Sequence, residues 1–156
     1  MEPRINAFST DITPKFVKYF VAADKVLAAS TVPATTLELV RIRASQINGC
    51  SGCLDMHVKE ALRAGEDPVR LALVAAWRDA TVFTEAERAA LELAEQGTRL
   101  ADSAGVTDEA WDQAAKHYDN EELMALVLQI ALINTFNRMN VMTRQLGGDY
   151  VPGQLH

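Results

Sequence analysis

The residues best suited to chemistry lie in one stretch, Asn48-Gly49-Cys50-Ser51-Gly52-Cys53-Leu54-Asp55-Met56-His57. It holds both cysteines of the chain, three residues apart, and a histidine four residues after the second cysteine. Because an α-helix has 3.6 residues per turn, offsets of three and four place side chains on one face. The spacing therefore predicts that Cys50, Cys53 and His57 form a single stripe at the start of a helix.

Such a stripe could carry reversible two-electron redox chemistry. Asn48 is a suitable helix N-cap, and it would place Cys50 in the first turn of the helix. Unpaired backbone N–H groups and the helix dipole favour a thiolate there. The histidine could accept and return a proton, and two cysteines at this spacing can close a small disulfide ring.

Two other interpretations of the cysteines stay open at this point. The pair could be inert core residues, although the polar Ser51-Gly52 pair between them argues against tight burial. Cys-x2-Cys-x3-His also supplies three soft metal ligands at workable spacing, and a carboxylate such as Glu38 could be the fourth. A c-type haem is excluded, because Leu54 stands directly after Cys53 where that attachment needs histidine.

Length and composition limit the possible architectures. At 156 residues, 49% hydrophobic and 23% charged, the chain can bury one core. We therefore predict one domain over residues 1–156 with an irregular N-terminal segment at 1–13. A net charge of −6 disfavours nucleic acids and anionic membranes as partners. No signal-like N-terminus and no apolar run of about 18 residues is visible, so we expect a cytoplasmic protein. In that reducing compartment a lone Cys-x2-Cys is more often catalytic or metal-binding than structural.

Helical periodicity and capping residues predict an all-α fold. No segment alternates with a period of two between hairpin turns, so no strand is predicted. The expected helices run from about Pro14 to Ala29, from a Thr35 cap to Gln46, through the dithiol stretch to Gly65, from Pro68 to Arg78, from a Thr84 cap to Ala101, over a short segment after a Thr107 cap, and from an Asn120 cap to Leu146.

Glu38 has two compatible roles in this scheme. The run Thr35-Thr36-Leu37-Glu38 has the form of a capping box, in which the carboxylate accepts a hydrogen bond from the backbone N–H of Thr35. The helix–turn–helix that follows could also fold Glu38 back toward His57, where it would act as a proton-relay carboxylate.

Three further predictions concern surfaces. Arg41 and Ser45 share the side of the helix that carries Glu38, and they are expected to form a solvated or interface face. His117 has no cysteine or carboxylate cluster around it and is expected at the surface or at a helix end. The last helix is apolar on more than one face, so it either lies at the centre of the core or packs against another subunit.

The combined spacing resembles a known family. Glu38, eleven residues, Cys50-Ser51-Gly52-Cys53, three residues and His57 look like the signature of the alkyl hydroperoxidase D-like, or carboxymuconolactone decarboxylase, family. The segments Ala76–Asp79, Phe83–Arg88 and Asn134–Arg138 extend the resemblance along most of the chain. Alkyl hydroperoxidase D itself has a histidine between its thiols, where this sequence has Gly52.

This resemblance implies a helical bundle of about six to seven helices, and a homo-oligomer (dimer, trimer or hexamer) with sites near subunit contacts. It also implies an antioxidant oxidoreductase that reduces alkyl hydroperoxides without a bound cofactor. Cys53 would attack the peroxide and become a sulfenic acid, and Cys50 would resolve it as a disulfide. His57 and Glu38 would relay protons.

The implied reactants are a hydroperoxide or a small disulfide, with a lipoylated or thioredoxin-like protein as electron donor. The helix dipole favours Cys50 as the nucleophile, so the order of attack stays open. A general disulfide reductase, a metal-binding module and a dithiol-independent decarboxylase are the alternative functions.

Overall fold

The computed structural model describes residues 1–154, and over that range it contains seven α-helices and no β-strand. The helices are α1 (Ile12–Ala28), α2 (Ala34–Asn48), α3 (Ser51–Arg63), α4 (Pro68–Leu73), α5 (Glu85–Thr98), α6 (Asp108–Ala114) and α7 (Asn120–Thr143). Short 3-10 segments lie at Ala7–Ser9, Val74–Asp79 and Leu100–Asp102. The prediction of an all-α bundle with six to seven helices is confirmed.

Helix α2 lies at the centre of the bundle, where it packs against α3, α5 and α7. Its apolar side chains point in two directions and enter two clusters of the core. Leu37 and Val40 join residues of α5 and α7, whereas Leu39 and Ile42 pack with Trp77 and its neighbours. A helix buried on both sides has little freedom to shift, so α2 is a rigid platform for the polar residues that it carries.

The ends of several helices follow from local sequence. Thr84 and Glu87 form the capping box that the sequence predicts at the start of α5. Asp67 accepts a hydrogen bond from the backbone N–H of Val69, with Pro68 at the first position of α4. At α7 the capping box is formed by Asp119 and Glu122, so the predicted cap Asn120 is instead the first helical residue.

The last helix is apolar on more than one face, as its sequence indicates. Leu126, Ile130 and Ile133 are buried in the core, while Met124 and Leu128 on another side are about half exposed. None of the helices in the described part of the chain is long and apolar enough to cross a membrane.

The N-terminal segment contains more structure than predicted. It includes the 3-10 turn Ala7–Ser9, and α1 begins at Ile12, two residues before the expected Pro14. Arg4 ties it to the end of α7, because its backbone N–H donates to the carbonyl of Thr143. His117 follows the end of α6 and is exposed, as expected for a surface histidine.

Candidate active site

The turn between α2 and α3 places the two thiols. Gly49 adopts a left-handed conformation with φ of 66° and ends α2, a backbone geometry that glycine adopts without strain. Cys50 is then the N-cap of α3, one position before the first turn in which the sequence places it. Asn48 is not the cap, because it is the last residue of α2 and its amide donates to the side chains of Asn134 and Asn137.

The two thiols are buried, and a hydrogen bond joins them. Cys50 and Cys53 are free thiols, each only 1% exposed. The Sγ of Cys50 accepts a hydrogen bond from the Cys53 thiol and another, at 3.4 Å, from the Cys53 backbone N–H. The side-chain amide of Asn140 donates to the Sγ of Cys53 at 3.3 Å. This arrangement satisfies two polarizable groups that have little access to water.

These hydrogen bonds give the two thiols very different pKa values. The hydrogen bond from Cys53 outweighs the burial of Cys50 and, with the backbone N–H, lowers the pKa of Cys50 to about 6. The same hydrogen bond and burial raise the pKa of Cys53 far above its ordinary value. Near neutral pH the pair therefore holds one proton, with the thiolate on Cys50 and the proton on Cys53.

An asparagine row on α7 forms the wall behind the thiols. Asn134, Asn137 and Asn140 recur every three residues and face the α2–α3 turn. Asn137 is fully buried and donates to the hydroxyl of Ser45 at 3.0 Å. Ser45 is itself fully buried within the chain, so the prediction that it lies on a solvated or interface face is wrong. Its buried partner is 92 residues away in sequence, which local pattern does not reveal.

A carboxylate and a guanidinium hold His57 in place. The Nδ1 atom of His57 lies 2.6 Å from Oε1 of Glu38, and the other oxygen of Glu38 accepts from Arg41 at 2.7 Å. The second Nη of Arg41 donates to Asp24 at 2.8 Å and to Gln129 at 2.9 Å. Glu38 is thus fixed from both sides, and its orientation fixes the imidazole ring.

The same contacts keep Glu38 ionised. Burial raises the pKa of this carboxyl, but His57 and Arg41 together lower it more, and the net direction is downward. A carboxylate at Nδ1 favours the tautomer that carries its hydrogen there. The Nε2 atom is then the ring nitrogen available to a reacting group.

The predicted capping role of Glu38 is wrong. Helix α2 begins at Ala34 after Pro33, which supplies no side-chain cap, and Thr35 lies inside the helix. Arg41, predicted to lie on a solvated or interface face, has a side chain only 12% exposed because it is enclosed by its polar partners. The hydrogen bonds of Glu38 to His57 and Arg41, and not a local cap, determine the position of this carboxylate.

A cavity of about 410 Å³ opens beside the second thiol. Cys53 and His57 line it, together with Gly52 and the edge of the polar network. Most of the remaining wall is apolar and comes from α1 and α7, with Val17, Val21, Leu132, Ile133, Phe136 and Met139. A site of this kind suits a small molecule with an apolar body and one reactive polar group.

A second cavity, of about 590 Å³, borders the other end of the histidine–carboxylate pair. Glu38 and Arg41 line it on the α2 side, and Glu60 and Ala64 line it on the α3 side. The pair of His57 and Glu38 therefore lies between two openings, and Glu38 has a route to solvent that does not pass the thiols.

The described residues offer no ligand set for metal binding, which the sequence left open as an alternative. Within residues 1–154, no group of three or more histidine, cysteine, aspartate or glutamate side chains is arranged to hold a metal ion. His57 directs Nδ1 to Glu38, and Cys50 directs its sulfur to Cys53.

The acidity of Cys50 gives a testable pH dependence. One thiolate per chain is expected to appear with a midpoint at about pH 6, with the thiolate above it and the thiol below it. In Cys53→Ala the midpoint should rise by about one to two units, since a hydrogen bond to a charged group contributes about 1.5–3 kcal/mol. Thiolate absorbance in the ultraviolet, recorded against pH, measures both midpoints.

Cys53→Ser is the matched control, because its hydroxyl can still donate to the Cys50 sulfur. Its midpoint should stay closer to the wild-type value than that of Cys53→Ala. Equal midpoints in all three proteins would show that the hydrogen bond from Cys53 does not set the acidity of Cys50.

Comparison with known families identifies related sequences. The model of the carboxymuconolactone decarboxylase family matches residues 14–96. The uncharacterized protein YdfG of Bacillus subtilis (strain 168) is 38% identical over 141 residues, which cover 90% of this chain and 94% of the relative. The matched residues 14–96 include Glu38, the two cysteines and His57.

Solved structures share the fold. A protein of unknown function from Agrobacterium tumefaciens, whose name proposes an AhpD antioxidant defence role, superposes with a TM-score of 0.86 at 33% identity. The match covers 96% of this chain and 100% of that one. The debrominase Bmp8 superposes with a TM-score of 0.76 at 22% identity, over 87% of this chain and 73% of its own. At that identity the second likeness concerns the fold alone.

Proposed function

Because the chain belongs to the carboxymuconolactone decarboxylase family, which includes the AhpD-like proteins, we propose that it is a thiol-dependent peroxidase. It reduces organic hydroperoxides, and Cys50 and Cys53 become a disulfide. One observation carries the proposal: two hydrogen-bonded free thiols at a helix N-terminus, one of which faces an apolar cavity beside a carboxylate-held histidine.

Cys53 is the attacking sulfur in this proposal, because it is the thiol that lines the cavity. Its proton already points at the Cys50 thiolate, and transfer along that hydrogen bond leaves the thiolate on Cys53. The amide of Asn140, at 3.3 Å, stabilises the charge that develops there. Cys50 thus acts first as the internal base of the pair.

The reaction balances as two steps. The Cys53 thiolate attacks the terminal peroxide oxygen, so an S–O bond forms while the O–O bond breaks, and an alkoxide leaves. The alkoxide takes the proton that Cys50 had accepted, which gives the alcohol and restores the Cys50 thiolate. This thiolate then attacks the sulfenic sulfur, the disulfide forms, and the leaving hydroxide takes up one further proton to give water. Two thiols are oxidised, and the hydroperoxide is reduced to an alcohol and water.

His57 and Glu38 serve the proton balance of this cycle. The thiol pair of Cys50 and Cys53 starts with one proton, and one more proton must be supplied to give neutral alcohol and water. His57 lines the cavity that would hold the reactants, and Glu38 borders the second opening. The relay therefore brings a proton from solvent without a path past the substrate.

The low pKa of Cys50 also favours reduction of the disulfide back to two thiols. A dithiol donor attacks the sulfur that it can reach, which is Cys53, and the sulfur of lower pKa leaves more readily as thiolate. We propose a lipoylated or thioredoxin-like protein as this donor, acting in the cytoplasm.

The exposed apolar residues favour a homo-oligomer of single-domain subunits. Ile12, Phe16 and Tyr19 of α1 are 48–74% exposed, and Met124 and Leu128 of α7 are each 49% exposed. Apolar side chains of this number on two helices are typical of subunit contacts.

The proposal is tested by steady-state consumption of tert-butyl hydroperoxide, with dihydrolipoamide or dithiothreitol as the reductant. Multiple turnovers with at least one dithiol are expected, and the organic hydroperoxide should react faster than hydrogen peroxide because the cavity wall is apolar. Absence of turnover with both dithiols, in protein whose thiols are free, would contradict the proposed function.

A further inference from the structure

We propose that residues 145–154, here called the C-terminal strap, determine which reactants reach Cys53. With the strap closed, the cavity admits small molecules. A macromolecule that must bring its own sulfur to Cys53 reacts only when the strap lifts. The identity of these reactants rests on the proposed function, whereas the size selection itself does not.

The strap lies directly on the first turn of the dithiol helix. It leaves α7 after Arg144, whose left-handed conformation with φ of 56° turns the chain back across α3. At Gly147 the two backbones touch, because an added Cβ would lie 2.4 Å from the carbonyl oxygen of Ser51 and 3.1 Å from the nitrogen of Gly52. Only a residue without a side chain fits this position.

A row of charged residues on α3 holds the strap. Asp55 accepts from the backbone N–H of Gly148 at 2.6 Å and from that of Tyr150 at 3.0 Å. Lys59 donates to the carbonyls of the same two residues at 2.8 and 2.9 Å. Glu60 accepts from the hydroxyl of Tyr150. Asp55 and Lys59 are four residues apart, so their side chains lie on one side of α3, and Glu60 follows Lys59 directly.

The strap also covers the cavity. Gln145, Leu146, Asp149 and Tyr150 line it together with residues of α1 and α7. Cys53 lines the same cavity, and only 1% of the residue is exposed. Disulfide exchange requires the incoming sulfur to contact the attacked sulfur, which a protein-borne group cannot do while the cover is in place.

The attachment is suited to opening. No residue of the strap from 145 to 154 is buried, and Leu146 is 50% exposed. The strap is held by polar contacts at the surface, and such segments open locally at low free energy. The contacts therefore close the site against large reactants without locking it.

Labelling of the reduced protein with two maleimides tests the strap, with the rate read at Cys53 by peptide mass spectrometry because Cys50 can also react. N-ethylmaleimide and a polyethylene-glycol maleimide share one reactive group and differ in size. In Gly147→Ala the added methyl group lifts the strap, and the polymer reagent should react about tenfold faster or more. The N-ethylmaleimide rate should change by less than about threefold, because this reagent is small enough to enter the cavity that Cys53 lines.

Lys59→Met is a second variant that keeps the side-chain length but removes both hydrogen bonds to the strap, and it should move the ratio of the two rates in the same direction. Val151→Ala is the control, because it leaves these strap contacts in place. Unchanged ratios in Gly147→Ala and Lys59→Met, or equal acceleration of both reagents, would overturn the proposal. If Gly147→Ala does not fold, Lys59→Met decides.

The outcome is independent of turnover. Size-dependent labelling in a protein that consumes no hydroperoxide would support the strap as a size filter and contradict the proposed function alone. Turnover with size-independent labelling would contradict the strap alone.

Discussion

Replacing Cys53 with serine is expected to abolish hydroperoxide turnover, with kcat/KM falling about a thousandfold or more. A serine hydroxyl is not ionised near neutral pH and cannot form a sulfenic acid or a disulfide. The hydroxyl still donates to Cys50, so the fold of the α2–α3 turn should survive. The measurement is steady-state hydroperoxide consumption with a dithiol reductant. Wild-type turnover in this variant would contradict the proposed chemistry.

Cys50→Ser is its matched partner and determines the order of attack. It should also lose turnover, because no intramolecular disulfide can form. A single treatment with hydroperoxide should nevertheless leave a sulfenic acid on Cys53, which dimedone traps and mass spectrometry locates. If the trapped sulfenic acid instead appears on Cys50 in the Cys53→Ser protein, Cys50 is the attacking sulfur and the assigned order is reversed.

Glu38→Gln is expected to lower kcat about 10- to 100-fold, the usual effect of removing a carboxylate that orients a histidine. Glutamine has nearly the same shape, so it can still contact His57 and Arg41. It cannot supply the negative charge that favours hydrogen on Nδ1 or pass a proton to solvent. Turnover of the organic hydroperoxide at saturating concentration measures the effect.

Two controls separate a relay from a merely structural carboxylate. Glu85→Gln removes a carboxylate that is 83% exposed and should leave kcat unchanged. His57→Gln combined with Glu38→Gln should be little slower than the slower single variant, because members of one relay are not additive. An unchanged kcat in Glu38→Gln, or fully additive losses, would argue against the relay.

Features whose partners are close in sequence were predictable. The Thr84–Glu87 box is correct because both of its hydrogen bonds join residues three apart. The Thr35–Glu38 box fails although its pattern is similar, because Glu38 instead bonds Arg41 and the distant His57. A local pattern predicts a cap correctly only where the folded chain gives the carboxylate no stronger hydrogen-bond partners elsewhere.

The missed residues of the site all act across long separations in sequence. Asn140 contacts Cys53 over 87 positions, and Gln129 contacts Arg41 over 88. A partial signal was present, since asparagines at 134, 137 and 140 form a polar row on an otherwise apolar helix. The strap gave no periodic pattern, and its attachment to α3 depends on backbone groups that sequence does not distinguish.

The central claim is that hydroperoxide oxidises both thiols to one disulfide. The most direct measurement is a free-thiol titration of the native protein before and after one equivalent of tert-butyl hydroperoxide, with zinc analysed in the same sample. The account predicts loss of both thiols of each chain, their return with a dithiol reductant, and no stoichiometric zinc. Thiols unchanged by the hydroperoxide, or masked by bound zinc that cysteine substitution releases, would contradict it.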